Sequence, residues 1–575
     1  CGGANLRARR CRVHGSAERL LPGNQDVPQP PTAKPTAARE HASLSFPSFA
    51  LSRLPSPLPA HPAFLDASTG AALSFPMLLS RISSLATALR TSVGIGKGDV
   101  VFVLVPASLN VPVIYLASMS MGAVVSPVNP LSTTSEVARA VSLCKPSIIF
   151  ATADTARKIP TEGRPTIVLL DSARFTSFLH NHEQRQEPPE EVWQSDVAAI
   201  NYSSGTTGRT KAVAQTHRRL IASAFQVHAA RPRTPDDGPV VTLLGVPMFN
   251  SYGFNMLLRG VMMAETTVVV TTTRGGAAGV LAAAAKWRAT QMFVAPPVVV
   301  AMARGGVDPN ELPDLIRIIC GGAPLSTASA SAFHERFPNI DLSLQFGSTE
   351  GGVISNMVGP KEYPRVKSTG RLCSGVTAKV VDIISGESLP TKGQGELRIQ
   401  SPSVMKGYIG GDETNIHVFD SDGWLKTGDL CYIDDDGFLY VVERLKELIK
   451  YKAYQVAPAE LEDVLHLIPG VLDAAVVPYP DQEAGELPMA FVVKQKESNL
   501  SEDQIMEFVG KQVAPHKKIR KVVFLESIPR LASGKLLRRE LRNLVSMLPK
   551  VSSRFLPEVV FWVLHSPVLA KKANV

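Results

Sequence analysis

The loop that decides the fold reads Tyr202-Ser203-Ser204-Gly205-Thr206-Thr207-Gly208-Arg209-Thr210-Lys211. A short, mostly apolar run over 196–201 precedes it and predicts a strand, and a helical pattern begins near His217. Because its two glycines carry no Cβ, several backbone N–H groups can turn toward one anion. The hydroxyl side chains add donors, and Lys211 adds a point charge suited to phosphate. The loop therefore predicts a triphosphate-binding site, with a flexible surface turn as the alternative.

The bulk composition is that of a globular protein with more than one domain. Its 575 residues are 45% hydrophobic and 19% charged, which supplies enough apolar surface for two or more cores. The net charge of +9 and the pI of about 9.2 favour anionic ligands, whether nucleotide, CoA or nucleic acid. The six cysteines are scattered without a CxxC pair or a zinc-binding spacing, which indicates a reducing compartment. No uninterrupted apolar run reaches the length of a membrane span.

The hydrophobic pattern divides the chain into four segments. Residues 1–60 are rich in Pro, Ala, Ser and Arg, which predicts a disordered or uncertain N-terminal segment. Over 61–445 strands and helices alternate, which predicts an α/β domain with a mostly parallel sheet and, after about Gly370, a small β-rich subdomain. Residues 446–545 predict a compact α+β domain, and 546–575 form an atypical tail.

Two further motifs carry groups suited to a nucleotide. In Gln345-Phe346-Gly347-Ser348-Thr349-Glu350 an aromatic ring beside glycine can lie flat on a purine, and Thr349 can donate to phosphate. Glu350 offers the oxygen ligands that Mg2+ prefers, although a polar turn at a strand end is the alternative. In Trp424–Leu430, Asp429 can accept hydrogen bonds from both ribose hydroxyls. Considered alone, a turn aspartate is more often a structural Asx turn.

Two later segments concentrate cations. Residues 443–452 alternate lysine and arginine with apolar side chains, which is also typical of a solvated face. Residues 532–539 place Lys535 on a turn of small residues before a helical pattern. Neither segment indicates a function by itself.

Taken together, in this order and at these separations, the motifs resemble the adenylate-forming superfamily of acyl-CoA synthetases, luciferases and peptide-synthetase adenylation domains. Within it they are most similar to the plant 4-coumarate:CoA ligase-like enzymes. The resemblance extends from about Pro62 to Leu544. The segments that carry it are Tyr202–Lys211, Pro247–Phe249, Gln345–Glu350, Gly407–Tyr408, Trp424–Leu430, Arg444–Gln455 and Ser533–Arg539.

The resemblance implies a large N-terminal domain and a small mobile α+β C-terminal domain. The hinge between them would lie at Lys446, and this residue would also contact a cofactor. ATP and a carboxylic acid would first form an acyl-adenylate and pyrophosphate. The small domain would then rotate, and the CoA thiolate would attack the adenylate. The implied ligands are therefore ATP, Mg2+, CoA and a small carboxylic acid.

The resemblance also implies a nucleotide site. Glu350 would hold Mg2+ and take part in catalysis, Thr349 would contact the α-phosphate, and Asp429 and Arg444 would bind the ribose. The remaining positions lie in the hydroxylated loop and beside the adenine. They are Ser203, Ser204, Gly205, Thr206, Thr207, Gly208, Lys211, Gln345, Phe346 and Gly347, with Thr206 also counted as catalytic.

The C-terminal motifs would supply catalytic lysines. By the same resemblance, Lys535 would reach the α-phosphate and the acyl oxygens during adenylation. Lys450 and Gln455 would act beside the adenylate. Lys452 and Ala453 would line the CoA tunnel.

The acyl pocket would be lined by Asn250, Tyr252, Gly322 and Ala323. Their identities do not select a substrate. Hydroxycinnamates of phenylpropanoid metabolism, medium-chain fatty acids and jasmonate precursors all stay open.

Two departures from the family pattern predict weakened activity. Asn250 stands where the family carries a histidine beside the acyl pocket. The segment Gln345-Phe346-Gly347 is one residue shorter than the family's Gln-Gly-Tyr-Gly, which predicts a shifted backbone on the adenine side. A degenerate paralogue that binds a nucleotide or a partner without turnover is therefore the alternative. Nucleic-acid binding is disfavoured, because the basic run over 516–521 has no interleaved stacking aromatics.

The compartment expected from the resemblance is the cytoplasm or the peroxisome. Plant relatives of this type often end in a Ser-Lys-Leu-type tripeptide, whereas this chain ends in Ala573-Asn574-Val575. We expect a monomer with no nucleic-acid partner and no membrane span.

Overall fold

The computed structural model describes residues 43–161, 165–180, 191–204, 210–229, 238–271, 275–411, 415, 417–452, 454–531 and 534–547. These residues form two compact units. The larger unit comprises the described residues up to Gly322, Ala330–Thr427 and Tyr432–Tyr440. The smaller unit comprises Ala323–Ser329, Gly428–Cys431 and the described residues from Val441 onward. Among the described helices, none has both the length and the apolar character needed to cross a membrane.

A seven-stranded sheet carries the hydroxylated loop. The strand Val100–Leu104 pairs in parallel with a neighbour on each side, as the alternation of strands and helices predicted. At one edge of the sheet, Thr210–Thr216 runs antiparallel to both of its neighbours, Val197–Ser204 and Gly407–Tyr408. In spatial order the strands are Gly407–Tyr408, Thr210–Thr216, Val197–Ser204, Val124–Pro127, Val100–Leu104, Ile148–Ala151 and Thr166–Leu169.

A nine-stranded sheet and a four-stranded sheet complete the β-structure before the C-terminal segment. The nine-stranded order is Arg371–Leu372, Gly352–Asn356, Asp341–Ser348, Arg317–Gly321, Gln291–Val294, Val241–Leu244, Thr266–Val269, Pro62–Asp66 and Ala72–Ser74. The four-stranded order is Thr377–Val381, Gly395–Gln400, Leu425–Ile433 and Leu439–Arg444. The second sheet corresponds to the β-rich subdomain that the sequence predicted after about Gly370.

Helices connect these strands, and local sequence signals explain where several of them begin. Thr133 and Glu136 form a reciprocal capping box at the start of Thr134–Cys144. The remaining helices up to residue 365 are Phe46–Ser52, Phe75–Ala88, the π-turn Leu89–Val93, Asn110–Ser120, Ala153–Ala156, Ala173–Phe178, His217–Ala229, Ser251–Met262, Gly276–Lys286, Pro296–Ala303, Thr327–Arg336 and the 3-10 turns Pro309–Glu311 and Pro360–Arg365.

The smaller unit is an α+β unit around one five-stranded sheet. Its long hairpin Val471–Asp481 and Gly485–Lys494 is antiparallel, and Lys521–Phe524 adds to it in parallel. Leu461, Leu465, Ile505 and Val509 are fully buried and pack helices against the sheet. Its other elements are Leu445–Glu447, Ile449–Tyr451, Tyr454–Val456, Pro458–Leu465, Glu502–Gln512, Pro515–Lys517 and Arg538–Met547.

The mixed α/β architecture is confirmed, but the structure corrects one local prediction. Part of the segment 1–60 is helical: Phe46–Ser52 forms a helix with Ser45 as its N-cap and Phe46 fully buried. Residues 1–42 lie outside the described part of the chain. The helix predicted from about His217 is confirmed as His217–Ala229, and the strand Thr210–Thr216 directly precedes it.

Candidate active site

The hydroxylated loop joins two antiparallel strands. Ser203 is paired with Lys211, and Ser204 with Thr210, at the open end of the hairpin Val197–Ser204 and Thr210–Thr216. Its other end is held by a buried core that includes Ile200. The predicted phosphate-binding residues Gly205, Thr206, Thr207 and Gly208 lie outside the described residues. The flanking residues Ser203 and Lys211 therefore define what the structure places at this edge.

Two hydroxyl groups converge on one oxygen of Glu350. Ser203 donates from Oγ to Oε1 over 2.7 Å, and Tyr408 donates from its hydroxyl to the same atom over 3.1 Å. Lys211 holds its Nζ 4.5 Å from the centre of the Tyr408 ring. Four residues from three distant segments of the chain thus form one polar cluster in the larger unit, which we call the Glu350 cluster (Ser203, Lys211, Glu350 and Tyr408).

Tyr408 was not assigned a role from the sequence, although its Gly-Tyr segment contributed to the resemblance. It lies on the short strand Gly407–Tyr408, which pairs with the hairpin opposite Val213. Burial, followed by the negative charge of Glu350 and the hydrogen bond to it, raises the pKa of Tyr408 well above its usual range. Tyr408 therefore stays protonated and acts as a donor to the carboxylate.

The Glu350 cluster fits a magnesium–phosphate ligand. Oε1 of Glu350 accepts both hydroxyls, while no described residue donates a hydrogen bond to Oε2. A hard cation prefers such a carboxylate oxygen and commonly takes its other ligands from water and substrate phosphates. Lys211 adds a positive charge over the ring of Tyr408, whose hydroxyl reaches the carboxylate. The residues present could therefore hold both Mg2+ and a phosphate chain.

The segment Gln345–Gly347 forms part of a central strand. Gln345 is paired with Gly321 on one side and with Asn356 on the other. The register of the second pairing shifts between Phe346 and Gly347, so that the neighbouring strand contributes one extra residue, Ile354. A Cβ on Gly347 would lie 2.2 Å from the Gly352 carbonyl oxygen, so this position accepts only glycine. The strand is thus continuous through the motif that the sequence analysis considered shortened.

Two of the four predicted acyl-pocket residues, Tyr252 and Gly322, lie close together. Tyr252 donates from its hydroxyl to the Ile319 carbonyl oxygen over 3.0 Å. A Cβ added to Gly321 would lie 3.5 Å from the Tyr252 ring, and one added to Gly322 would lie 3.9 Å from it. The Tyr252 ring therefore covers the end of the strand Arg317–Gly321. Ala323 follows Gly322 in sequence and is partly exposed.

Asn250 has a structural role that the sequence comparison did not reveal. It is the N-cap of the helix Ser251–Met262, and its Oδ1 accepts a hydrogen bond from the Gly253 N–H over 2.8 Å. Asparagine is among the best residues for this role. The signal was present in the sequence, because Asn250 directly precedes a helical pattern.

In the smaller unit, Asp429 and Arg444 form a close ion pair. Nε of Arg444 lies 2.6 Å from Oδ1 of Asp429, whose side chain is 1% exposed. The following turn carries Lys446. Burial lowers the pKa of Lys446, and the positive charge of Arg444 lowers it further, while the charge of Glu447 opposes the shift. The predicted ribose-binding pair is thus brought together.

The predicted lysines of the C-terminal segment lie on two turns. Lys450 and Gln455 are paired across the hairpin Ile449–Tyr451 and Tyr454–Val456. Lys452, at its tip, has a φ of 51°, and Ala453 lies outside the described residues. These pairings bring the two residues predicted to act beside the adenylate onto one hairpin.

Lys535 lies on a separate tight turn. Its carbonyl oxygen accepts from the Leu531 N–H over 2.9 Å. Arg530 donates to the Gly534 carbonyl oxygen over 3.1 Å and forms an ion pair with Asp473. The turn that carries the predicted catalytic lysine is therefore braced by an arginine anchored on the sheet.

Comparison with known proteins assigns the family. The model for AMP-binding enzymes matches residues 55–409, and the model for their C-terminal domain matches residues 460–535. The chain belongs to the AMP-binding enzyme family. Its relatives in this family include 4-coumarate--CoA ligase-like 9 of Arabidopsis thaliana, with 44% identity over 90% of this chain and 92% of the relative.

Two further members of the AMP-binding enzyme family show how far the similarity extends. Peroxisomal OPC-8:0-CoA ligase 1 of Arabidopsis thaliana is 39% identical over 86% of this chain and 95% of that protein. The crystal structure of ATP-bound MatB from Rhodopseudomonas palustris is 25% identical and covers 87% of this chain and 99% of that chain, with a TM-score of 0.79. The family resemblance inferred from the motifs is therefore confirmed, together with a fold made of a large N-terminal and a small C-terminal domain.

Proposed function

We propose that this protein is an AMP-forming acid–CoA ligase with an aromatic or fatty acyl substrate. ATP and the acid form an acyl-adenylate and pyrophosphate, and CoA then forms the thioester and releases AMP. The observation that carries the proposal is the Glu350 cluster, in which Ser203 and Tyr408 donate to one carboxylate oxygen and Lys211 lies over the Tyr408 ring. This arrangement supplies a metal ligand and a cation at the end of the hairpin whose two strands the phosphate-binding loop connects.

In the first step, the substrate carboxylate attacks the α-phosphorus of ATP, and the bond to the pyrophosphate oxygen breaks. Negative charge gathers on the phosphate oxygens and on the leaving pyrophosphate, where preorganised cations stabilise it. Glu350 would hold Mg2+, which supplies charge stabilisation at the phosphates. Lys211, Thr349 and Lys535 would contact the phosphate groups. Holding the acid beside ATP removes much of the entropic part of the barrier.

The ribose would be held by Asp429 and Arg444. The Asp429 side of their ion pair is buried, and Arg444 orients the carboxylate. A carboxylate oriented in this way can accept hydrogen bonds from two neighbouring hydroxyls. The pair would therefore align the nucleotide for the in-line step.

In the second step, the CoA thiolate attacks the acyl carbon and AMP leaves. Lys450 and Gln455, paired on one hairpin, would act beside the adenylate, and Lys452 and Ala453 would line the path of CoA. The two steps use different nucleophiles and different lysines. A rotation about a hinge at Lys446 would present the two sets in turn.

The acyl group would pack against the Tyr252 ring. Because the Tyr252 hydroxyl already donates to Ile319, this wall is an aromatic face and not a hydrogen-bond donor. An aromatic or aliphatic acyl chain suits such a face. The similarity to both 4-coumarate--CoA ligase-like proteins and an OPC-8:0-CoA ligase supports an aromatic or aliphatic acyl substrate. Of the two expected compartments, the cytoplasm and the peroxisome, the peroxisomal ligase supports the second. The intact Glu350 cluster gives no support to a paralogue without turnover.

The test is pyrophosphate release from Mg-ATP with a panel of cinnamates and fatty acids, each with and without CoA. Acid-dependent release that rises on addition of CoA is the expected result and identifies the substrate class. ATP binding without release for any acid would refute the ligase proposal. The matched control is Glu350→Gln, which keeps the size of the side chain and should abolish the release.

A further inference from the structure

A buried arginine lies directly behind the Glu350 cluster. Arg219, in the first turn of the helix His217–Ala229, is 1% exposed. In the part of the chain that the structure describes, it forms no ion pair, and its Nη1 has no hydrogen-bond acceptor. Burying a guanidinium is costly, and a cation at the N-terminal end of a helix is also unfavourable. Such a residue needs a compensating role.

The hydrogen bonds of Arg219 connect two segments that flank Glu350. Nη2 donates to the Thr349 carbonyl oxygen over 2.6 Å, and Nε donates to the Ser403 carbonyl oxygen over 2.6 Å. The first carbonyl belongs to the peptide bond that joins Thr349 to Glu350. The second lies on the segment that leads to Tyr408. The planar guanidinium of Arg219 therefore holds the backbone of two segments of the cluster, one beside Glu350 and one that leads to Tyr408.

Other contacts show how closely the two segments approach. The Met405 N–H donates to the Glu350 carbonyl oxygen over 2.8 Å, and Ser403 donates from Oγ to the Gly351 carbonyl oxygen over 3.2 Å. A Cβ on Gly352 would lie 2.8 Å from the Ser403 side chain. The turn after Thr349 therefore packs directly against the segment whose Ser403 carbonyl Arg219 also binds.

The charge of Arg219 also reaches Glu350. Burial lowers the pKa of Arg219 to about 10, and the negative charge of Glu350 opposes this shift. The guanidinium therefore stays protonated at neutral pH.

We propose that Arg219 is a positioning residue for the nucleotide–metal site. It fixes the peptide between Thr349 and Glu350 so that the Thr349 hydroxyl and the Glu350 carboxylate face the same ligand. The inference rests on the proposed function, because it assigns Mg-ATP to the Glu350 cluster. Arg219 itself does not touch the ligand. The alternative is that Arg219 only stabilises the fold.

The test measures equilibrium binding of ATP with and without Mg2+, together with thermal unfolding. Arg219→Gln should weaken Mg-ATP binding by about tenfold or more, since hydrogen bonds to charged groups contribute about 1.5–3 kcal/mol. Binding of metal-free ATP should change much less. Arg219→Lys keeps the charge but cannot reproduce the fork, so it should lie between the wild type and Arg219→Gln.

Gln226→Ala is the matched control. Gln226 lies on the same helix and donates to Ser374 and Ser401, but not to Thr349. This variant should lower the unfolding temperature and leave the effect of Mg2+ on ATP binding unchanged. The control therefore separates a general loss of contacts made by the helix His217–Ala229 from the specific loss of the hydrogen bond to the Thr349 carbonyl oxygen.

The inference would be overturned if Mg2+ strengthened ATP binding by the same factor in both Arg219 variants as in the wild type, whatever happens to their unfolding temperatures. If Arg219→Gln does not fold, the inference would be overturned by Arg219→Lys alone, provided that Mg2+ strengthens ATP binding in this variant by the same factor as in the wild type. A wild type that binds Mg-ATP but forms no adenylate with any acid refutes the proposed function and leaves the binding comparison valid. A wild type that binds no ATP refutes both.

Discussion

The Tyr408 hydroxyl donates to Oε1 of Glu350 over 3.1 Å, although the two residues are 58 positions apart. Tyr408 lies on the seven-stranded sheet, and Glu350 lies in a turn between two strands of the nine-stranded sheet. Ser203 donates to the same oxygen from a third segment. A carboxylate held by two hydroxyls is oriented before any ligand arrives. Preorganisation of this kind is what an electrostatic site requires.

Removing the tyrosine hydroxyl should weaken metal-dependent nucleotide binding. Tyr408→Phe keeps the ring beside Lys211 but deletes the donor, and we expect the Kd for Mg-ATP to rise by about tenfold. Isothermal titration with and without Mg2+ measures this. Tyr432→Phe, on a partly exposed stacked pair, is the control and should leave the Kd unchanged. Equal Kd values for Tyr408→Phe and the wild type would argue against a metal-binding role for the cluster.

Lys535 should act in only one of the two half-reactions. Lys535→Ala should abolish adenylation but preserve thioester formation from a supplied acyl-adenylate. Single-turnover assays of each half-reaction measure the two outcomes. Lys511→Ala, on an exposed helix face, should affect neither. Equal loss of both half-reactions in Lys535→Ala would contradict the model of two conformations with separate lysines.

Lengthening the strand at Gln345 should impair ATP binding. Because Asp341–Ser348 is paired on both sides, a glycine inserted between Gln345 and Phe346 would move every later side chain to the opposite face. We expect ATP affinity to fall by at least about tenfold, given the loss of contacts at Thr349 and Glu350. A glycine inserted after Gly386, where a Cβ would meet nothing, is the control. A rise in affinity would show instead that the motif lacks a residue.

Asn250 should contribute to stability through its cap. Asn250→Ala should destabilise the fold by about 1 kcal/mol, whereas Asn250→Ser should retain most of the stability, because serine is also a good N-cap. Thermal unfolding of the two variants measures the difference. If Asn250→Ser keeps the stability but loses turnover, the amide also contacts the substrate. Equal stability of Asn250→Ala and the wild type would contradict the capping role.

His217 should make the fold sensitive to acid. Burial lowers its pKa to about 4, and its Nδ1 accepts from the Phe46 N–H, so the folded protein needs the neutral ring. The unfolded chain binds a proton near pH 6.5, so stability should fall as the pH drops from about 6.5 to about 4, by at most about 3 kcal/mol from this group.

Unfolding temperatures measured between pH 8 and pH 4.5 test this prediction. His217→Gln removes the titrating group and should flatten the fall. His466→Gln is the control. Burial lowers the pKa of His466, but the hydrogen bonds to Asp473 and to the Glu462 backbone, together with the two carboxylate charges, raise that pKa above its usual value. Its stabilisation is present at low pH and is lost as the pH rises. An unchanged acid profile in His217→Gln would refute the assignment.

The sequence by itself determined the α/β class, the alternating strands and helices over 61–445 and the family. These properties depend on hydrophobic period and on short segments of unusual composition, which a linear chain displays directly. It also identified Ser203, Glu350, Asp429 and Arg444 as candidates. Each of them belongs to a motif whose residue types suit phosphate, metal or ribose.

Only the tertiary structure decided which of these groups meet and what supports them. Sequence did not reveal that Tyr408 shares an oxygen with Ser203, or that the carbonyls beside Glu350 are held by Arg219. It also left Asn250 as a departure from a pattern, whereas the structure shows a helix cap. The physical reason is that a hydrogen bond depends on the distance and direction between two atoms. Strand pairing and helix packing set that geometry, and local periodicity does not record it.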